Sequence, residues 1–348
     1  MRDIITACVP ALTLPPAEDR AAADLGPSTR TEHDHWVGRW PALSTLEHVD
    51  PPLDAAVAEP AGTIRVVAWN LERCKHVEAS AEVLRAAAAD IVLATEMDHG
   101  CARSGQRHTT ADLAAELGFG YVFGVEFVEL ALGDARETAA HAGTPNRHGL
   151  HGNAVLSRWP ITAAALIPLD DGAAWYENDL KQGQRRIGGR NGIAALIATP
   201  GGPVAVAAVH FESESTPRSR AVEAARLLRG FDSFAAGAPA IIGGDFNVAA
   251  LSRAGLDAAA MLAVPEEIEP TFAAFADHGF DWRDANLPGV TTRKHPHDDP
   301  AKPDIKIDWL FVRRLVASAP WIGAALGPDG TVLSDHEPIG VDIRPVAA

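Results

Sequence analysis

Asn70, Glu96, His210, Asp245, Asn247, Asp335 and His336 all stand where an apolar run of this chain begins or ends. The carboxylates and amides offer oxygen, two imidazoles accompany them, and no thiol is involved. Oxygen donors of this kind suit a hard cation such as Mg²⁺, which keeps several waters and takes one or two protein carboxylates beside substrate phosphate oxygens. Taken singly, each has an ordinary reading: Asn70 a strand-end turn, Asp335–His336 a solvated loop pair. Polar groups placed repeatedly at one rim imply a site.

The elements that must position them follow from the pattern. Ala240–Ile241–Ile242–Gly243–Gly244–Asp245–Phe246–Asn247 reads as a buried strand delivering Asp245 and Asn247 to one side while Phe246 packs the other way. Its glycines allow backbone or ligand to come close, and an Asx turn closing a core strand is the competing reading. Ile64 to Trp69 is a strand ending at Asn70, with Glu72 beyond it, and Ile91 to Thr95 is another ending in Glu96. A helix is expected over Glu78 to Ala89, a second from Thr109 or Thr110 to Leu117, and an extended run from Tyr121 to Leu130. Asn153 to Ser157 is a short strand. Ile193–Ala198 and Val204–His210 flank Thr199–Pro200–Gly201–Gly202–Pro203 and predict a hairpin. Arg218 to Phe234 is an amphipathic helix with Val222, Ala225, Leu228 and Phe231 on one face. An Ala-rich helix near Ala254–Ala263 follows. Ile305 to Val312 is a strand containing Asp308, and Pro338 to Ile343 is the last strand.

At 348 residues and 47% hydrophobic content the chain can bury a large core. Its net charge of −16 disfavours nucleic acid as a partner without excluding it. Cys8, Cys74 and Cys101 are odd in number and lack metal-ligand spacing, which fits a reducing compartment. No apolar stretch approaches the roughly 20 residues that span a bilayer, and too few residues precede Cys8 for a signal segment. A cytoplasmic protein with no implied protein partner is expected. Residues 1–61 read as a proline-punctuated extension without a sustained period, lying partly against the domain through Trp36 and Trp40. Residues 62–348 form the catalytic domain, whose alternating strands and interspersed helices suggest two sheets packed face to face with helices outside.

In order along the chain, Trp69–Asn70–Leu71–Glu72, Glu96, Gly152–Asn153–Ala154–Val155–Leu156–Ser157–Arg158, Val209–His210, Gly244–Asp245–Phe246–Asn247, Ile307–Asp308–Trp309–Leu310–Phe311 and Ser334–Asp335–His336 resemble the motifs of the endonuclease/exonuclease/phosphatase superfamily. That superfamily includes pancreatic deoxyribonuclease, apurinic endonucleases, sphingomyelinases and inositol polyphosphate phosphatases. The resemblance covers about Ile64 to Ile343. It implies an α/β fold, a four-layer α/β/β/α sandwich of two mixed sheets with outer helices, and metal-dependent phosphoester cleavage by in-line attack of water. It further implies Glu96 as the principal Mg²⁺ ligand, Mn²⁺ being a substitute, with Asn70, Glu72 and Asp335 as direct or water-mediated ligands. Asp245 would orient or deprotonate the attacking water, Asn247 and His210 would hold phosphoryl oxygens, and Asp308 and His336 would form a dyad.

A histidine paired with a carboxylate has its tautomer fixed and its pKa raised, so His336 could serve as general base or as a cation facing phosphate. His210 could donate a proton to a leaving alkoxide or hydrogen-bond a phosphate oxygen. Outside the shared motifs, Arg103, Arg107 and His108 follow Glu96, His148 and His151 precede Asn153, and Arg185, Arg186 and Arg190 precede Ile193. If these loops meet at the rim they make a cationic collar, with Arg103, Arg107, Asn153 and Arg190 as substrate-binding candidates. The expected activity is hydrolysis of a small-molecule or lipid-like phosphomonoester or phosphodiester. The alternatives are a DNA or RNA nuclease and a catalytically silent binding module on the same fold.

Overall fold

The computed structural model describes residues 3–52, 62–178, 183–235 and 237–346. The boundary expected at residues 61 and 62 falls on 53–61, outside the described residues. In chain order the strands are β1 (Cys8–Val9), β2 (Leu46–Val49), β3 (Ile64–Arg73), β4 (Ile91–His99), β5 (Gly120–Glu129), β6 (Leu150–Ser157) and β7 (Ile161–Pro168). They continue with β8 (Arg186–Gly188), β9 (Asn191–Thr199), β10 (Gly202–His210), β11 (Ala240–Asp245), β12 (Asp308–Arg313), β13 (Leu315–Ile322) and β14 (Ile339–Pro345).

Among the described residues they form two mixed sheets. The larger runs β1-β2-β5-β6-β4-β3-β14-β13, with β8 paired to β5, and the smaller runs β12-β11-β10-β9-β7. Period-2 alternation explains how they stack. Ile64, Val66 and Ala68 of β3 and Ile91 and Leu93 of β4 face Val204, Val206 and Ala208 of β10 and Ile241 of β11 in one apolar layer between the sheets. The intervening residues of the larger sheet, Val67, Trp69 and Val92, pack with Val77, Ala81 and Leu84 of the helix Val77–Ala86 and Leu113 of the helix Thr109–Leu117. On the smaller sheet, Ala207, Val209, Ile242 and Phe311 pack with Leu227 and Phe231 of the helix Pro217–Ala235 and Phe272 and Phe275 of the helix Pro270–Asp277. The order is helix, sheet, sheet, helix.

Gly243 and Gly244 serve this packing. A Cβ on Gly243 would strike Leu310, with Leu93 and Ala68 of the facing sheet next in line. Gly244 has φ +142°, and a Cβ there would strike the carbonyl oxygen of Val209. What comes close at these glycines is neighbouring protein.

Three expectations are corrected. The N-terminal segment has regular structure: helices Ala17–Leu25 and Arg30–Arg39, with β2 pairing antiparallel to β5 in the larger sheet. The helix Arg30–Arg39 is stabilised by individual contacts, a Thr29 cap and a Trp36 Nε1 to Glu32 Oε1 bond of 2.8 Å, so it carries little apolar periodicity. On the helix Pro217–Ala235 the buried stripe runs through Arg220, Glu223, Ala224, Leu227, Leu228 and Phe231, and Val222 is exposed. Two charged residues belong to that stripe because partners satisfy them, which shifts it from the purely apolar pattern. The expected Ala-rich helix is two short ones, Ala249–Arg253 and Ala258–Ala263.

Candidate active site

The inter-sheet layer turns polar at one end, and strand parity dictates which residues appear there. Asn70 continues the inward-facing series Ile64, Val66, Ala68, as His210 continues Val204, Val206, Ala208. Register places His210 opposite Asp245, and Asp245 opposite Asp308, so three site residues share one row across β10, β11 and β12. From the facing sheet, Asn70 Nδ2 donates to Asp245 Oδ2 at 3.2 Å and to Glu96 Oε1 at 3.3 Å.

Irregular backbone aims the remaining groups. Register shifts fall between Asn70 and Arg73 in β3, between Ala94 and Met97 in β4 and between Val125 and Phe127 in β5. Glu72, Arg73 and Glu96 adopt φ of 45°, 69° and 57° inside or beside these shifts. Bulges re-aim side chains beside functional sites, and non-glycine residues hold positive φ only when their surroundings enforce it.

Two adjoining clefts of about 480 and 430 Å³ share Ser213, Glu214, Asn247, Lys302, Asp335 and His336. Glu96, His210 and Asp245 line the second of them, together with Arg73, Arg103, Arg186 and Arg190. The strand end at Asp245 satisfies both readings of the sequence. Asn247 N donates to Asp245 Oδ1 at 2.9 Å in an Asx turn, and both side chains still line the cleft. Phe246 packs away, against Phe211, Phe275 and Phe311.

His336 Nδ1 lies 2.9 and 3.1 Å from the two Asp308 oxygens, and its Nε2 lies 3.7 Å from Asp245 Oδ2. Burial alone would lower the His336 pKa; Asp308, Asp245 and Asp335 outweigh it and hold the imidazole well above its usual range. Burial lifts Asp245 to about 7 against the pull of His336. Burial also raises Asp335. His210 is displaced the opposite way, held well below its usual range by burial and by Arg190. Burial opposes ionisation of Glu96, yet Arg73, with Nη1 2.6 Å from Glu96 Oε2, keeps it well below the usual carboxylate range.

Several sequence candidates bond to neighbouring protein. Glu72 pairs with Lys75 at 2.9 Å and with His295 at 2.6 Å, and accepts from Asp335 N at 3.1 Å. Asn153 is wholly buried and lines neither cleft; its Nδ2 donates to Asn191 Oδ1 at 3.1 Å across the sheets, and its Oδ1 is buried without a hydrogen-bond partner. Arg103 lines the cleft while bonding Asp98 twice at 2.9 Å and Glu137 at 3.1 Å. The collar does not form as a ring. Arg107 pairs with Glu78 and Asp112 at 2.8 and 2.5 Å outside both clefts, His108 bonds Glu47, and Arg185 reaches carbonyls of the N-terminal segment.

The sequence reading passed over Arg73, Asp98, Glu126, Glu129 and Glu137, which pair with Glu96, Arg103, Arg186 and Arg190 around the cleft. Glu126 and Glu129 carried a signal: charged residues in a run of ten otherwise strand-like residues, and all ten are buried.

Glu96, Asp245 and Asp335 supply carboxylate oxygens to one cleft, a donor set that fits a hard divalent cation. Asp245, Asp308 and His336 also bring ligand-type atoms within 4.8 Å of one another, although His336 Nδ1 already holds Asp308.

Two mixed sheets sandwiched by helices, with strand-end acids and histidines around a cleft, define a hydrolase fold of one superfamily. The endonuclease/exonuclease/phosphatase family model matches residues 67–336, and the chain belongs to that family. Its fold is similar to an endonuclease/exonuclease/phosphatase from Beutenbergia cavernae, at 21% identity and TM-score 0.56, covering 82% of this chain and 72% of that one. A Bacteroides vulgatus endonuclease/exonuclease/phosphatase aligns at 17% identity and TM-score 0.55, covering 82% and 99%. The human Nocturnin catalytic domain with bound sulfate aligns at 18% identity and TM-score 0.53, covering 82% and 94%. A search of curated proteins gave no match. Among the described residues no helix is long and apolar enough to cross a membrane.

Proposed function

We propose that this chain is a divalent-metal-dependent phosphoesterase that cleaves a small-molecule or lipid-like phosphoester by in-line attack of water. One observation carries the reading: the row His210–Asp245–Asp308 faces Asn70 and Glu96 of the other sheet across a cleft, with His336 held on Asp308. Glu96 and Asp335, with Asn70 beside them, are the residues that would hold Mg²⁺ or Mn²⁺. When bound, the cation neutralises charge on the phosphoryl group and fixes its orientation. Glu72 acts from behind, through its bond from Asp335 N.

Asp245 orients the attacking water and accepts its proton. A base titrating near 7 balances availability against driving force at neutral pH. His336 is the cation that faces the phosphoryl oxygens, since Asp308 favours its charged form. Asn247 Nδ2 gives one N–H to the Phe211 carbonyl at 2.9 Å and donates its second N–H to another phosphoryl oxygen. The net charge of −16 and a cleft of about 430 Å³ support a small or lipid-like ester over a nucleic acid.

The test is a turnover screen in Mg²⁺, Mn²⁺ or EDTA across phosphodiester and phosphomonoester dyes, sugar phosphates, phospholipids and DNA and RNA. Cation-dependent release from a small or lipid ester supports the reading. Turnover confined to nucleic acid would transfer the chain to the nuclease alternative, and no turnover of any class would favour a silent binding module.

A further inference from the structure

Arg190 precedes β9 with its side chain buried between two carboxylates, Nη1 3.1 Å from Glu126 Oε1 and Nε 3.3 Å from Glu212 Oε2. Its backbone is tied as well, Arg190 N donating to Asp170 Oδ2 at 2.9 Å. Trp175 closes over it, the guanidinium carbon 5.1 Å from the ring centroid, and Trp175 Nε1 bonds Glu212 Oε2 at 2.9 Å. From this position Nη1 lies 2.9 Å from Nδ1 of His210.

A guanidinium has five N–H donors and no acceptor. Nδ1 of His210 can therefore take part in that contact only through its lone pair, so the ring proton resides on Nε2. Nε2 points at the reaction centre, 4.0 Å from Glu96 Oε1 and 3.7 Å from Asp245 Oδ2. Glu126 Oε2, buried without a hydrogen-bond partner, is 3.8 Å from Nδ1, beyond hydrogen-bond reach, while Arg190 Nη1 at 2.9 Å is within it. His151 and Glu212 are the other charged or titratable groups that face the ring.

We infer that Arg190 is a positioning residue that fixes His210 as the neutral Nε2–H tautomer, making His210 a hydrogen-bond donor to a phosphoryl oxygen and not a proton donor to the leaving group, since giving up that proton would leave an imidazolate. The consequence for turnover rests on the phosphoesterase reading. The tautomer itself does not.

The experiment is ¹⁵N-histidine NMR of the full chain, with long-range ¹⁵N–¹H correlations reporting which ring nitrogen carries the proton. The His210→Gln variant assigns the signal by its disappearance. An unprotonated Nδ1 and a protonated Nε2 at neutral pH support the inference. A protonated Nδ1 in the intact protein overturns it, whatever the substrate proves to be. For Arg190→Met, the expected result is loss of that tautomer and a fall in kcat of about 10–100-fold, the range known for removing partners that orient metal-ligating histidines. KM should stay within about twofold, and Arg190→Lys, which keeps a donor, should recover part of kcat. A raised KM with normal kcat would make Arg190 a substrate contact and overturn the positioning role, as would an Arg190→Met enzyme that keeps both tautomer and turnover.

Discussion

The imidazole of His336 sits on the carboxylate of Asp308, Nδ1 2.9 Å from Oδ2 and 3.1 Å from Oδ1, with both side chains buried. Asp308 thereby fixes the ring and raises its pKa, while Nε2 faces Asp245. Removing the ring should cost more than neutralising its support. His336→Ala should lower single-turnover rates by about 10²–10⁴-fold, and Asp308→Asn by less, with substrate affinity nearly unchanged in both. Variants that lose binding but turn over bound substrate normally would make this pair part of the pocket wall.

Arg107 gives a negative prediction. Its guanidinium pairs with Glu78 and Asp112 and lines neither cleft. Arg107→Ala should leave kcat and KM within about twofold of the wild type, and steady-state kinetics with any turned-over ester suffice to check it. A clear rise in KM would restore Arg107 to the substrate.

The positions that alternate were legible; those set by irregular backbone were not. The run Ala240 to Asn247 revealed its strand, with Asp245 on one face and Phe246 on the other, because period 2 separates them; the Asx turn weighed against it forms as well. The hairpin of β9 and β10 was equally plain from its Pro-Gly-Gly punctuation. Arg73 escaped because it follows Glu72 through two positive-φ residues, and no simple period predicts where such a side chain points. Arg107 and Arg190 are alike in sequence, yet one ends outside both clefts and the other buried in the wall of one. That difference is made by Glu78, Glu126 and Glu212, partners 22 to 64 residues away in the chain that no local pattern connects to them.

The N-terminal segment reaches the cleft indirectly. His33 Nε2 lies 3.1 Å from Ala173 N and 3.2 Å from Gly188 N, pinning both ends of the stretch that leads into Arg190. His33→Ala takes this acceptor from the Gly188 amide, while Ala173 N keeps the Gly188 carbonyl at 3.3 Å, and should cost about 1–3 kcal/mol in chemical denaturation. A change below about 0.5 kcal/mol would show that these amides are satisfied otherwise.

Glu223 predicts a pH dependence of stability. Burial raises its carboxyl from the usual 4.5 to about 8. The folded state therefore binds more protons than the unfolded state between those values, and stability from this group falls as pH rises through the window. Denaturation midpoints of Glu223→Gln should decline less between about pH 5 and pH 8 than those of the wild type. Parallel slopes for the two proteins would mean that Glu223 is ionised in the fold.

The central claim is that Glu96 anchors a divalent cation on which phosphoester cleavage depends. The most direct measurement is turnover of a phosphodiester or phosphomonoester dye by the wild type and Glu96→Gln, each assayed in excess Mg²⁺ and in EDTA. The account predicts activity in the wild type with Mg²⁺ alone, lost on chelation, regained on adding metal back, and nearly abolished by Glu96→Gln, which keeps the shape of the side chain and removes its charge. Undiminished wild-type turnover in EDTA, or full activity of Glu96→Gln in Mg²⁺, would contradict it.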